Sequence, residues 1–209
     1  MYRRKDAFYS RAKAEGYRSR SAYKLLELAQ RARLIRSGDR VVDLGAWPGG
    51  WLQVAAKLVG PHGRVVGVDL HPIEPISVRS VSCIVGDVRE PAVQARVLAA
   101  CGGPADVILS DLAPKLSGVR ARDEAQAAAL ADLVLEFATR ALAPGGRLLT
   151  KLFTTQDLPA YLTRLRALFR RVSTTRPEAT RKGSSEIYAM ASDFVGEAGV
   201  PDTSRSTPS

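Results

Sequence analysis

The chain has 209 residues, 45% of them hydrophobic and 25% charged, a composition typical of one soluble domain that can bury roughly 70% of its unfolded surface without disulfides or a structural metal. Its two cysteines, Cys83 and Cys101, and its two histidines, His62 and His71, stand in unrelated contexts. That excludes a disulfide framework and a metal-binding spacing, and suits a reducing cytoplasm. The net charge of +10 is concentrated: residues 1–36 carry 11 Lys or Arg against 3 Asp or Glu, residues 163–182 carry 7 against 1, and the remainder therefore sums to −4.

The N-terminus, MYRRKDAFYS, lacks the apolar run of a secretory signal, and no stretch reaches the roughly 18 apolar residues of a membrane span. Asp6 and Glu15 interrupt the acid-poor pattern of an organelle-targeting peptide. Residues 1–18 are expected to be a basic, partly ordered segment. Ser19 to Arg33 then reads as a basic amphipathic helix with Ala22, Leu25, Leu26 and Leu28 available to pack inward, and it carries Lys24.

From Arg40 to about Ser192, short β-branched runs alternate with longer amphipathic stretches. The expected strands are 40–44, 64–69, 81–85, 106–110, 146–152, 171–175 and 186–191, and the helices between them 50–59, 91–101, 122–142 and 157–169. This pattern predicts an α/β fold: one Rossmann-like domain, 19–192, with a seven-stranded, mostly parallel sheet and helices on both faces. Residues 193–209, which end EAGVPDTSRSTPS, are expected to be a disordered tail.

The strongest local signal is VVDLGAWPGGW, Val41 to Trp51, a buried strand running into a glycine turn and a helix. Gly45, Gly49 and Gly50 allow backbone angles and close approaches that a Cβ would obstruct. Their order, G-x-x-x-G-G, is not the G-x-G-x-x-G of a dinucleotide site. Asp43 at the strand end would repel a pyrophosphate and suits a cationic ligand such as S-adenosylmethionine. Asp69, 24 residues after Gly45, stands at the tip of the second strand, where it can accept hydrogen bonds from ribose hydroxyls. Asp87 follows the third strand, where an adenine amino group would lie. A strand-end Asp can equally cap the next helix, but three acids and a glycine turn at successive strand ends describe one crevice.

Taken in chain order, YRSRSAYKL, VVDLGAWPGGW, DVILSDLAPKLSG, LLTKLF and SSEIYAMA resemble the FtsJ/RrmJ family of ribose 2′-O-methyltransferases over about residues 8–192. The resemblance implies the fold of a class I S-adenosylmethionine-dependent methyltransferase. It implies a catalytic tetrad of Lys24, Asp111, Lys151 and Glu186, and cofactor contacts at Gly49, Trp51, Asp69, Asp87 and Asp111. It further implies, from the detail of SDLAPKLSG, a uridine of large-subunit (23S) ribosomal RNA as target, within the 50S subunit. Two positions depart from the family's pattern: Trp47 stands where a small residue is usual, and LFTTQD follows Lys151 where a glycine-containing loop is expected.

A ribose 2′-hydroxyl is a weak nucleophile, whereas a sulfonium methyl is already activated and must be met in line. The enzyme's work is therefore to position the hydroxyl and take its proton. A lysine does the latter only where burial or a second cation disfavours its charged form. Lys151 is expected to orient and deprotonate the hydroxyl, and Asp111 to hold Lys151 and face the methionine end of the cofactor. Glu186 and Lys24 would tune charge and bind the nucleotide. Arg3, Arg4, Lys5, Arg11, Lys13, Arg18 and Arg20 lead into Lys24, and Arg176, Arg181 and Lys182 lead into Glu186. Such segments fit a phosphate backbone and leave selection to RNA shape. Other readings at this point are a nicotinamide oxidoreductase, the same chemistry on transfer RNA or a messenger cap, and a non-enzymatic ribosomal RNA-binding assembly factor. No metal is expected, and nothing in the sequence requires more than a monomer.

Overall fold

The computed structural model describes residues 7–115, 117–180 and 183–196. The chain runs α1 (Ala7–Ala14), α2 (Ala22–Ala32), β1 (Arg40–Leu44), α3 (Gly50–Val59), β2 (Arg64–Asp69), β3 (Val81–Val85), α4 (Pro91–Cys101), β4 (Ala105–Ser110), α5 (Arg120–Ala141), β5 (Leu142–Phe153), α6 (Leu158–Leu168), β6 (Phe169–Thr175) and β7 (Glu186–Phe194). All seven strands form one sheet in the order β3-β2-β1-β4-β5-β7-β6. β1 to β5 pair in parallel, and β7 lies antiparallel between β5 and β6.

Alternation along the strands divides the core into two layers, because successive side chains leave a strand on opposite faces. Val42, Leu44, Ile108 and Leu148 pack with Val93 and Val97 of α4, Val134 and Phe137 of α5, and Leu165 of α6. Val41, Val107, Leu109 and Leu149 point the other way, onto Leu25 and Leu28 of α2 and Leu52 and Val54 of α3. Burial on both faces explains why β1 and β4 read as continuous apolar runs.

Several boundaries differ from the sequence expectation, and four of the differences have a visible cause. Residues 7–14 form a helix, α1, whose Ala12 is buried against Tyr23 of α2 and Ala179, with Phe8 packed alongside. β5 begins at Leu142, inside the predicted helix end, and passes through Gly145, where φ is 76°. Opposite this stretch the β4 register shifts between Ala105 and Val107, an irregularity that glycine accommodates. β6 starts at Phe169, and β7 continues to Phe194, because those two buried rings pack with centroids 5.2 Å apart. Residues 197–209 of the predicted tail lie outside the described residues, as do Arg3, Arg4, Lys5, Arg181 and Lys182.

At the amino end of the sheet, Arg147 donates to both oxygens of Asp39 at 2.9 Å and to the Leu34 carbonyl at 2.8 Å. This buried pair ties β5 to the α2–β1 connection. It leaves the opposite, carboxyl edge, where open α/β sheets bind ligands, free for other groups.

Candidate active site

Because β7 is antiparallel to β5, its first residues lie beside the last residues of β5: Phe153 pairs with Glu186 and Lys151 with Tyr188. Ser110, the last residue of β4, pairs with Thr150, so Asp111 emerges next to Lys151. The Lys151 ammonium donates to Asp111 Oδ1 at 3.0 Å and to the Asp111 carbonyl at 2.7 Å. α2 packs over this edge and delivers Lys24, whose Nζ lies 2.5 Å from Glu186 Oε1. Thr180 donates to the same Glu186 oxygen at 3.4 Å.

The two ion pairs are joined by Tyr188, a residue the sequence reading quoted but gave no role. Its hydroxyl accepts from Lys24 Nζ at 3.3 Å and donates to Asp111 Oδ1 at 2.6 Å. The ring is fully buried. Burial first, and then the carboxylates of Asp111 and Glu186, push the phenol pKa far up, so Tyr188 stays a neutral relay. Glu186, Lys24, Tyr188, Asp111 and Lys151 thus form one continuous polar chain across the mouth of the sheet. The signal available beforehand was spacing: Glu186 and Tyr188 are two apart on a strand and share a face.

Beside this chain lie the carboxyl ends of β1, β2 and β3, the edge at which open α/β sheets form their ligand crevice. Asp43 is fully buried, and neither of its oxygens has a hydrogen-bond partner. Burial raises its pKa well above the ordinary aspartate value, with Asp111 and Asp69 pushing the same way. Asp69 accepts from the backbone N–H groups of Trp47 at 3.0 Å and His71 at 2.8 Å. Asp87 holds Arg89 through bonds of 2.9 and 3.0 Å to its Nε, and that guanidinium lowers the Asp87 pKa. Trp51 does not present its indole to the crevice: the ring is buried under α2, and Nε1 donates to the Ser21 carbonyl at 2.8 Å. What position 51 offers a ligand is its backbone N–H in the first turn of α3, where amides have no intrahelical partner.

The glycine turn shows the backbone angles and close approaches expected of it, and what approaches it here is the protein itself. Gly45 and Gly49 have φ of 76° and 107°, angles that disfavour any side chain. A Cβ on Gly45 would come within 2.5 Å of Leu112, on Gly49 within 3.0 Å of the Arg18 guanidinium, and on Gly50 within 2.1 Å of Ser19 Oγ. The space is taken by the protein's own side chains, so the turn is drawn tightly into the molecule.

The two basic segments also meet. α1 and α2 contact the β6–β7 connection through Ala12, Tyr23 and Ala179. Glu27 accepts from the Glu178 N–H at 2.9 Å, and Arg31 donates to Thr175 Oγ1 at 3.2 Å. Lys13 and Arg176 are exposed on this surface, and Arg11 pairs with Glu15 at 2.7 Å. Arg18 is turned inward, as described below. Among the described residues no group of His, Cys, Asp and Glu could hold a metal ion, and no helix is long and apolar enough to cross a membrane.

A model of FtsJ-like methyltransferases matches residues 17–194. The chain belongs to the FtsJ-like methyltransferase family. Its similarity to curated family members extends over nearly the whole molecule. It is 47% identical to a ribosomal RNA large subunit methyltransferase E of Acidithiobacillus ferrooxidans, covering 93% of this chain and 88% of that protein. It is 44% identical to the protein of the same name from Methanothermobacter thermautotrophicus, covering 93% and 92%. Among solved structures, a Plasmodium falciparum protein described as a ribosomal RNA methyltransferase superposes with a TM-score of 0.76 at 26% identity, covering 86% of this chain and all of that one.

The crevice of this FtsJ-like methyltransferase fits S-adenosylmethionine on its own chemistry. A buried, unpartnered carboxylate flanked by two more is an electrostatic cost that a ligand carrying both sulfonium and ammonium charges removes. Asp43, Asp69, Asp87 and Asp111 all stand at or just after the carboxyl ends of β1 to β4, the edge where open α/β sheets bind ligands.

Proposed function

We propose that this protein transfers a methyl group from S-adenosylmethionine to the ribose 2′-hydroxyl of a uridine in large-subunit (23S) ribosomal RNA, with the 50S subunit as substrate, acting as a cytoplasmic monomer. The observation that carries the reading is the unbroken chain Lys151–Asp111–Tyr188–Lys24–Glu186 beside the acidic crevice. The extensive identity to proteins named ribosomal RNA large subunit methyltransferase E supports the target.

Bound S-adenosylmethionine supplies a methyl group already activated for attack. The protein's residues do the rest. Asp111 fixes Lys151 through two bonds, carboxylate and carbonyl, and so aims the remaining Nζ valence out of the sheet edge. In the free-amine form Lys151 keeps its two N–H bonds to Asp111 and turns its lone pair to the 2′-hydroxyl, whose proton it takes as the oxygen attacks, ending as the ammonium; this is a general-base role for a positioned amine. Lys24, held by Glu186, supplies a second cation on the other side of Tyr188, whose hydroxyl bonds both Lys24 and Asp111 and keeps the two pairs in register. A cavity of about 390 Å³ adjoins them, lined by Pro114, Gly118, Phe153, Thr154 and Ser185. In this reading it takes the target nucleotide once the base is splayed from its loop. Exposed Lys13 and Arg176 offer charge to the phosphates.

The test is to incubate 50S subunits from cells lacking the gene with purified protein and S-adenosylmethionine, then map ribose methyl groups by mass spectrometry. One uridine in the large-subunit RNA should gain a 2′-O-methyl group that the mutant cells lack. If the mutant RNA lacks no methyl group, the ribosomal target is wrong. Methylation of transfer RNA or a capped transcript in its place would keep the chemistry and move the substrate.

A further inference from the structure

Arg18 stands in a run of basic residues, and charge alone assigns it to RNA. The structure uses it otherwise. Its guanidinium donates through Nη1 to the Glu74 carbonyl at 2.5 Å and the Pro48 carbonyl at 3.3 Å, and through Nη2 to the Pro75 carbonyl at 2.7 Å. Its backbone N–H donates to Gln53 Oε1 at 2.9 Å, and Gln53 Nε2 returns a bond of 2.9 Å to the Gly16 carbonyl. One side chain therefore ties three separate stretches together: the segment before α2, the glycine turn between β1 and α3, and the connection from β2 to β3. The guanidinium also fills the space beside Gly49, where a Cβ would sit 3.0 Å from Nη1 and 3.4 Å from Ile73 Cγ2.

The glycine turn and the β2–β3 connection are the walls of the crevice on its adenosine side. Asp69 laces them from one direction, by accepting from Trp47 N–H in the turn and His71 N–H in the connection. Arg18 laces them from another, through Pro48 in the turn and Glu74 and Pro75 in the connection. A planar fork of five donors suits three carbonyls held at fixed positions, and an ammonium does not reproduce it.

We propose that Arg18 is a positioning residue for the cofactor crevice, a clasp that sets the separation of its two walls, and not a phosphate contact. This rests on the reading that the crevice holds S-adenosylmethionine. It predicts that the basic segment before α2 is divided in function, with Arg18 serving the cofactor while exposed residues such as Lys13 serve the RNA.

The experiment measures the dissociation constant of S-adenosylhomocysteine by calorimetry for the wild type, Arg18→Lys and Arg18→Ala, alongside binding of a single-stranded oligouridylate over a range of salt. Arg18→Ala should weaken S-adenosylhomocysteine by about tenfold or more, since several charge-assisted bonds are lost together. Arg18→Lys should recover only part of this. Hydrogen exchange should speed up selectively at residues 71–78, KM for S-adenosylmethionine should rise with kcat at saturation little changed, and oligouridylate affinity and its salt slope should hold. If Arg18→Ala does not fold, Arg18→Lys carries the same comparison. Unchanged S-adenosylhomocysteine binding with weaker RNA binding and a salt slope reduced by about one would make Arg18 a phosphate contact and overturn the proposal. So would a loss of thermal stability with exchange raised evenly through the chain. A wild type that binds no S-adenosylhomocysteine at all sinks the cofactor reading instead.

Discussion

β5 carries a buried cation near each end, and the two are employed differently. Arg147 and Lys151 are four residues apart, with side chains 8% and 7% exposed, and each is paired with an aspartate. Arg147 spends its two terminal nitrogens on both Asp39 oxygens and a backbone carbonyl, while its Nε is buried without a hydrogen-bond partner. Lys151 uses two donors on Asp111 and has a third without a partner among the described residues. Asp111 in turn hands on to Tyr188, and its side chain is 21% exposed. A pair enclosed in the interior holds elements together, whereas one at an open edge has bonding capacity that a substrate can reach.

The largest effect should come from the open end. Lys151→Ala is expected to lower kcat by about 10²–10⁴-fold, the usual contribution of a positioned general base, while S-adenosylhomocysteine binding and thermal stability stay near wild type. If turnover persists, Lys151 has no part in the reaction and the contrast between the two ends collapses. The closed end should show the converse. Arg147→Met strands the Asp39 carboxylate in the interior and should destabilise the fold by about 3–5 kcal/mol, read as a lower urea midpoint, with kcat of the remaining folded protein unchanged.

How far these two ends were legible in the sequence follows the same division. The sheet itself was readable because Val41–Leu44, Val65–Val68 and Val107–Leu109 are buried on both faces and stand out as apolar runs. β5 was begun too late, since Ala143-Pro-Gly-Gly reads locally as a turn although the ladder to β4 resumes across a shifted register. α1 escaped because its sequence, AFYSRAKA, offers only Phe8 and Ala12 inward, and it is held by Tyr23 and by Ala179, a partner far along the chain. The four charged residues at the open edge were found through their motifs. Tyr188 was not, since a tyrosine in a strand is more often core than relay. The carbonyl bonds of Arg18 were not legible, because a count of charges cannot tell a guanidinium spent on carbonyls from one awaiting a phosphate.

Tyr188 gives a way to sharpen the comparison at an intermediate scale. Tyr188→Phe keeps the buried ring and removes only the hydroxyl that links the two ion pairs. Among the described residues the Arg147 end has no such relay, so this deletion separates a linked site from two independent pairs. We expect kcat to fall by about tenfold, the scale of one charge-assisted hydrogen bond. Combined with Lys24→Met it should cost less than the product of the single effects, because both act through the same chain. Strictly multiplicative effects would mean that Tyr188 packs the site without connecting it.

The smallest effect, and the one that reads the crevice most directly, concerns Asp43. Its pKa is raised by burial and by Asp111 and Asp69, so the folded protein without cofactor holds that proton more tightly than the unfolded chain. The stability this contributes is fully present below the ordinary aspartate range and is lost as pH rises through the elevated folded value. The ligand-free wild type should therefore gain stability on mild acidification. Asp43→Asn, which mimics the protonated form, should abolish that component and melt roughly a few degrees higher at neutral pH. A cationic ligand reverses the preference, because beside an ammonium or sulfonium the carboxylate is the favoured form. Binding of S-adenosylmethionine should then expel a proton, seen as a calorimetric enthalpy that depends on the ionisation heat of the buffer, and Asp43→Asn should remove that dependence while weakening the affinity. Identical buffer dependence in wild type and variant would place the cationic end of the cofactor away from β1.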